Sequence, residues 1–489
     1  MLEIWHLMMA YLGAHLIAAC VVGGVGLGLL VWLILALREH PTGFWFIFWG
    51  ELAERASFYG MRTILALYLM HVLLFKESSG ASIMSFFIAS CYVAPLLGGM
   101  IADRFLGRYK TILYFSGPYI LGHIIIGGWQ NRTALFIALG LLALGSGTIK
   151  PNTSTLMGAM YEKEKKGHLL TKAFSYFYAA INVGSMLTTF ALPKVRDTIV
   201  KMDMAKGVSE MGALHHGYGV AFMVPAVAMG LSFFFFAIGK RFYPKENVRD
   251  RPPKTAEQRA AERRTLKRVA GIFALVAVFW FVYDESASTW IYFARDRMNL
   301  VLFEHLFGMG KMTVSPDQIQ GLNPFLIVLL TPVFNWLWDF VKKRRGTELP
   351  DTRKMLVGFF IVVGCMATMA VAGFISEGVK ISVWWIVVAT VIITLSELCV
   401  SVVGLELAYK VAEPGTKSFV TACFLVTVFL GDFVGGFFNK ALWGTVSPGM
   451  FFGIQTAIIL GAALTFVAVA RKFEREHGLA TAPEIAIAE

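Results

Sequence analysis

About thirteen apolar runs, each long enough to cross a bilayer, follow one another along this chain. No other feature constrains the fold as much. Backbone N–H and C=O groups find no water inside a membrane. Only helices and closed barrels satisfy those groups there. The runs do not alternate in polarity, so they are not barrel strands. An all-α polytopic membrane protein follows. Only 16% of the 489 residues are charged and mean hydropathy is +0.64, which excludes a soluble enzyme and a disordered chain. The five cysteines, Cys20, Cys91, Cys365, Cys399 and Cys423, lie inside apolar runs and lack metal or disulfide spacing.

The pattern predicts spans near residues 10–37, 44–74, 82–102, 111–129, 134–158, 174–192, 218–239, 269–294, 322–341, 355–375, 381–409, 418–439 and 450–470. The first is an extra helix; the others are numbered 1 to 12. Of the 44 Lys and Arg residues, 30 fall in one set of loops and 11 in the opposite set. The positive-inside rule makes the richer side cytoplasmic. The net charge of +12 therefore reports topology and not nucleic-acid binding. The C-terminus is expected inside and the N-terminus outside. A cleaved signal peptide is the alternative for residues 1–40, but Met1–His6 has no base and the apolar run continues to Leu37.

A polar stretch with eleven basic residues, Lys240–Arg268, divides spans 1–6 from spans 7–12. Two six-helix halves joined by a cytoplasmic tether predict a pseudo-two-fold transporter with its site at the midplane. The expected divisions are 1–40 extra helix, 41–240 N-terminal bundle, 241–268 linker, 269–475 C-terminal bundle and 476–489 cytoplasmic tail.

Charges inside the spans mark the function. Each costs about 2.5–3.5 kcal/mol on insertion scales. Span 1 carries Glu51, Glu54, Arg55 and Arg62, with Tyr59 between. Positions 51, 55, 59 and 62 share one helix face. Span 4 adds Lys150, span 7 Asp284 and Glu285, span 10 Glu397 and span 11 Asp432. Ion pairs that merely fasten helices are replaceable by apolar packing with little loss. Six acids and three bases spread over both halves instead predict an inward cluster lining a path for substrate and protons.

The motifs resemble the proton-dependent oligopeptide transporter family of the major facilitator superfamily. Glu51, Glu54, Arg55, Phe58, Tyr59 and Gly60 stand in its ExxERFxYYG motif, with Ala56 and Phe58 as departures. Gly145, Gly147, Lys150, Pro151 and Asn152 match GxGxxKPN. Phe174-Ser175 through Asn182, Gly184 and Ser185 match FSxFYxxINxGS. Asp103, Arg104, Gly107, Arg108 and Lys110 resemble the superfamily's loop motif, and Leu322-Asn323-Pro324 opens span 8.

The resemblance implies a major facilitator fold of two six-helix bundles and proton-coupled uptake of di- and tripeptides by alternating access. No cofactor or metal is implied, and the partners are peptides, protons and the lipid bilayer. Arg55 and Lys150 would face the peptide carboxylate, Arg as a fork and Lys as a point charge. Glu51 and Glu54 would carry the proton. Tyr59, Tyr92, Asn182 and Asn323 would hydrogen-bond the peptide. Glu397 would receive its ammonium or pair with Lys150. Arg62 would pair with Asp284 or Glu285 as an outer gate, and both acids are candidate proton carriers. Asp103, Arg104 and Arg108 would brace the cytoplasmic gate. Val402 stands where the family often has Pro, Cys423 where it often has Trp, and span 2 has no His. Asp432 receives no role from the resemblance.

Two rivals remain at this level. One is a proton-linked symporter of another anion, such as nitrate or a small organic acid. The other is an intramembrane enzyme, which would need a nucleophile–base pair or a metal set. The chain has no HExxH or GxSxG, and His123 is a lone histidine in span 3. No phosphate-cradling GxxxxGK[ST] loop suggests a pump.

Overall fold

The computed structural model describes residues 35–246, 255–304, 311–413 and 417–476. Nearly all of the predicted extra helix, with its small residues Gly23 to Gly28, lies outside the described residues, as does most of the tail.

The chain order is α1 (Thr42–His71), α2 (Glu77–Ile101), α3 (Arg108–Gly128), α4 (Arg132–Lys163), α5 (Leu170–Ala205), α6 (Glu210–Gly239), α7 (Ala256–Tyr283), α8 (Thr289–Arg297), α9 (Leu322–Arg345), α10 (Asp351–Ile375), α11 (Trp384–Glu397), α12 (Val403–Val411), α13 (Lys417–Leu442) and α14 (Pro448–Glu476). Ten helical units among the described residues are long and apolar enough to cross a membrane. The helices α1 and α5 are as long, at 30 and 36 residues, but more polar. Glu51, Glu54, Arg55 and Arg62 crowd α1, while Ser, Tyr, Asn and Thr dilute α5. These two helices carry most of the predicted site.

Spans 7 and 10 depart from the expected single helices. Residues 256–268, expected as linker, begin α7, because Thr255 and Gln258 form a reciprocal capping box and Ala, Arg and Glu favour helix. Span 7 is then broken by a 3-10 turn at Asp284–Ala287 before α8. Span 10 is broken by a π-turn at Leu398–Val402, between α11 and α12. A π-turn inserts one residue into the helical ladder and shifts the helix face. It supplies a break where Val402 stands in place of the expected Pro.

Within the first half, α1 packs on α5 and α6, and α4 on α2 and α3; within the second, α10 packs on α14 and α11, and α7 on α13. The halves meet chiefly through α2 against α13 and α5 against α9. Motif glycines set the closest approaches. A Cβ on Gly184 would sit 2.4 Å from the Leu52 carbonyl oxygen, so α5 and α1 are in backbone contact. A Cβ on Gly147 would meet the Ala94 side chain at 2.4 Å, which seats α4 on α2. Apolar tails provide little drive for helix association in lipid, so close packing of small residues carries it.

Two short ribbons cap the side away from the linker. Strands β1 (Met298–Asn299) and β4 (Ile381–Ser382) pair in parallel, and β2 (Val301–Phe303) pairs antiparallel with β3 (Met312–Thr313).

Candidate functional site

The α1 stripe forms as the spacing predicts. Arg55 Nε donates to Glu51 Oε1 at 2.6 Å and lies 3.1 Å from Glu54 Oε2. Both glutamates are fully buried and Arg55 nearly so. Ser146 of α4 reaches Glu54 Oε1 at 3.5 Å. One guanidinium thus serves two carboxylates, and Glu51 Oε2 and Glu54 Oε2 accept no hydrogen bond among the described residues.

Lys150 reaches this stripe from α4. Pro151 follows it and removes the N–H that would bond the Gly147 carbonyl. Asn152 donates its amide to the Thr148 carbonyl at 2.7 Å and to the Gly98 carbonyl at 3.3 Å, which ties α4 to α2. The Lys150 Nζ sits 4.0 Å above the Phe58 ring and 4.8 Å from the Tyr92 ring. Its Nζ is buried and has no hydrogen-bond partner among the described residues. Aromatic faces attract the ammonium without neutralising it. Phe58, a departure from the expected Tyr, is therefore half of this cradle.

The second half contributes Glu397. Its Oε2 accepts from Tyr283 at 2.6 Å and from Asn323 Nδ2 at 2.8 Å. Asn323 also donates to Thr394 Oγ1 at 3.1 Å. Tyr59 shares its helix with Arg55 and Arg62 and feels the charge of Glu397 from the second half. Asn182 spends its amide on the Tyr178 carbonyl at 2.9 Å, a bond within α5.

Arg62 crosses to the second half and donates to Asp284 Oδ1 at 2.5 Å. Glu285 is turned away; its Oε2 accepts from Thr289 Oγ1 at 2.6 Å. The 3-10 turn directs the two neighbouring acids to different partners. Of the two candidates, Asp284 is the one that meets Arg62.

On the linker side, Arg108 donates through Nη1 to Glu246 Oε1 at 2.6 Å and through its backbone N to Glu246 Oε2 at 2.8 Å. Asp103 and Arg104 are exposed in a π-turn at Ala102–Leu106. His123 is fully buried, 2.7 Å from Ser57 Oγ and stacked on Tyr119. That is a packing role within the first bundle.

The sequence reading missed a second bridge between the halves. Arg196 in the last third of α5 pairs with Asp317, just before α9, and also donates to Ser315 at 3.0 Å. Arg295 pairs with Glu77 at 2.5 Å, and Trp443 Nε1 donates to the same glutamate at 2.8 Å. Tyr292 donates to the Ala66 carbonyl and Gln318 to the Phe190 carbonyl. All of these join the halves toward the side away from the linker. A Ser-Pro-Asp-Gln sequence ahead of span 8, where a capping turn is legible, was the available signal for Asp317.

Two helix bundles enclosing buried charge from both halves define a multi-pass membrane protein. Comparison with known proteins assigns it further. The model of the POT family matches residues 109–259 and 252–445, and the chain belongs to that family. It is 31% identical over 372 residues to solute carrier family 15 member 2 of Homo sapiens, covering 67% of this chain and 48% of that protein. It is equally 31% identical over 368 residues to peptide transporter 3 of Caenorhabditis elegans, covering 67% and 50%. The chain spans about half the length of these relatives. Among solved structures, the POT family transporter PepTSo superposes with TM-score 0.77 at 25% identity, covering 89% of this chain and 99% of that one. An auto-inhibited POT family peptide transporter gives 0.74 at 25% identity, covering 92% and 99%.

Proposed function

We propose that this protein is a proton-coupled symporter that carries di- and tripeptides into the cytoplasm by alternating access between its two bundles. The observation that carries this reading is the Lys150 ammonium, buried on two aromatic rings without an acceptor among the described residues. A buried cation needs a counter-charge. A peptide carboxylate supplies one, with the Arg55 guanidinium alongside on the same stripe. Glu397, held by Tyr283 and Asn323 in the opposite bundle, suits the peptide ammonium. A ligand with both termini would then bridge the bundles and draw them together.

Protons enter through arithmetic of charge. Glu51, Glu54, Asp284, Glu285, Glu397 and Asp432 face three bases, Arg55, Arg62 and Lys150. In a low-dielectric interior the excess acid is neutralised by protons. Protonating Glu51 or Glu54 frees Arg55 for the peptide carboxylate, and this links proton binding to substrate binding. Tyr59, Tyr92 and Asn182 line the path, and Arg62 with Asp284 closes it on the outer side. Arg108, held by Glu246, with Asp103 and Arg104, braces the cytoplasmic side.

In this reading the bundles 41–240 and 269–475 are the moving bodies and 241–268 is the tether. The basic loops and the C-terminus face the cytoplasm, and the N-terminus lies outside. The extra helix within residues 1–40 is a retained accessory element.

The test is uptake of labelled dialanine into proteoliposomes with and without an imposed proton gradient. Accumulation should require the gradient and vanish with a protonophore. Displacement of the label by nitrate, but not by unlabelled peptide, would move the reading to another anion.

A further inference from the structure

Of the ten helical units long and apolar enough to cross a membrane, the one that ends in α9 is the least covered. Its apolar stretch is 11% buried, against 33–61% in the other nine. Within α9 only Pro324 and Ile327 are buried, and from Val328 to Arg345 no side chain is. Protein packing holds the first turns and covers the rest only in part. The bare end lies on the linker side. Asp351 in the next helix pairs with Lys410 at the end of α12, and Glu413 just beyond holds Arg264 of α7.

The two faces of this length differ. Thr331, Asn335 and Asp339 follow at intervals of four and share one face, which Lys342 ends, 3.8 Å from Glu348. The opposite face carries Val333, Trp336, Leu337 and Phe340, all exposed, and ends at Arg344. The Trp336 and Phe340 rings stack with centres 5.6 Å apart, and the Arg344 guanidinium lies 5.0 Å from the centre of the Phe340 ring. That guanidinium is held over an apolar column. Lys343, Arg344 and Arg345 form no ion pair among the described residues. Arg344 stands eleven residues beyond Val333, about 16 Å along the helix axis. The hydrocarbon of one leaflet is about 15 Å deep. The column therefore matches one acyl chain with a cation at its head.

We propose that an anionic phospholipid of the linker-side leaflet docks on this face, with its phosphate on Arg344 and an acyl chain over Phe340, Trp336 and Val333. Charge complementarity selects this occupant. A guanidinium takes a phosphate through paired N–H donors. Lys343 and Arg345 beside it favour a headgroup of net negative charge, each cation near the surface adding about five-fold in affinity. The apolar column below gives the acyl chain a stacked aromatic surface. The site is separate from the charged stripe of α1 and does not depend on what the protein carries.

Tryptophan quenching in proteoliposomes of the full chain tests the site. Lipids brominated on their acyl chains quench an indole they touch, and the difference between wild type and Trp336→Phe isolates Trp336. Brominated phosphatidylglycerol, diluted in plain phosphatidylcholine, should quench Trp336 more strongly than the same fraction of brominated phosphatidylcholine. Arg344→Gln should weaken the phosphatidylglycerol titration about five-fold, and Lys342→Gln, on the opposite face, should weaken it less. Equal quenching by the two lipids overturns the proposal, as does equal weakening by the two variants, which would reduce the site to general surface charge. Reversal of the quenching by inorganic phosphate overturns it too, since the ligand would then be the free anion. No quenching of Trp336 by either lipid likewise overturns it and assigns the face to a protein cover, a second copy or the chain before residue 35.

Discussion

Arg196 and Asp317 join the two halves of the molecule through an ion pair from which water is almost excluded: Arg196 is 4% exposed and Asp317 0%. The pair lies outside the α1 stripe and fastens α5 to the turn before α9. A buried pair is costly to break from one side, because the remaining charge keeps its desolvation penalty. That loss is about 3–5 kcal/mol. Replacing both partners is far milder.

Arg196→Ala and Asp317→Ala should therefore each open the side away from the linker, and the double variant should open it less than either single one. Spin labels at Val208 and Val379, exposed in loops of the two halves on that side, report the separation by electron-electron double resonance. Unchanged distances in both single variants would show that the pair does not hold the gate.

Lys150 and Arg55 are proposed to hold the peptide carboxylate. Lys150→Ala and Arg55→Ala should damage all dialanine uptake, exchange included. Glu51→Gln and Glu54→Gln mimic the protonated acids. Counterflow should survive in them better than gradient-driven uptake. Proteoliposome assays of both modes separate the outcomes, and equal loss of both would make the two glutamates structural.

Much of this site was legible because helical spacing alone aligns Glu51, Arg55, Tyr59 and Arg62; Arg55 pairs within that helix and Arg62 reaches across from it to Asp284. The glycines of the motifs were legible as letters but not as contacts. That Gly184 touches the Leu52 carbonyl depends on where two helices cross, which periodicity does not encode. Asp284 and Glu285 were inseparable in the sequence for a similar reason. A continuous helix would have set them about 100° apart, whereas the 3-10 turn decides which one meets Arg62. Asp317 and Glu246 lie in loops, where no period links a residue to a distant partner.

Helix contact itself is testable at Gly184. An added methyl cannot fit without lifting α5 from α1, and overpacking costs about 1–3 kcal/mol. Gly184→Ala should lower the thermal unfolding temperature in detergent, and Gly158→Ala, where a Cβ meets open space, should not. Similar melting of the two variants would mean that α5 and α1 are not in backbone contact.

The remaining prediction concerns the ligand's amino end. Glu397 is already engaged by Tyr283 and Asn323 through Oε2, both neutral donors. Neutral hydrogen bonds orient a carboxylate but do not cancel its charge. A peptide ammonium would cancel it. N-acetylation removes that ammonium and strands the carboxylate, and an unmade charged hydrogen bond costs roughly 1.5–3 kcal/mol. Acetyl-dialanine should therefore inhibit labelled dialanine uptake about ten- to a hundred-fold more weakly than dialanine itself. In Glu397→Gln the penalty for acetylation should shrink, because no charge is left to strand. If acetylation costs the same in wild type and Glu397→Gln, the ammonium is received elsewhere and Glu397 serves only to hold Tyr283 and Asn323 in place.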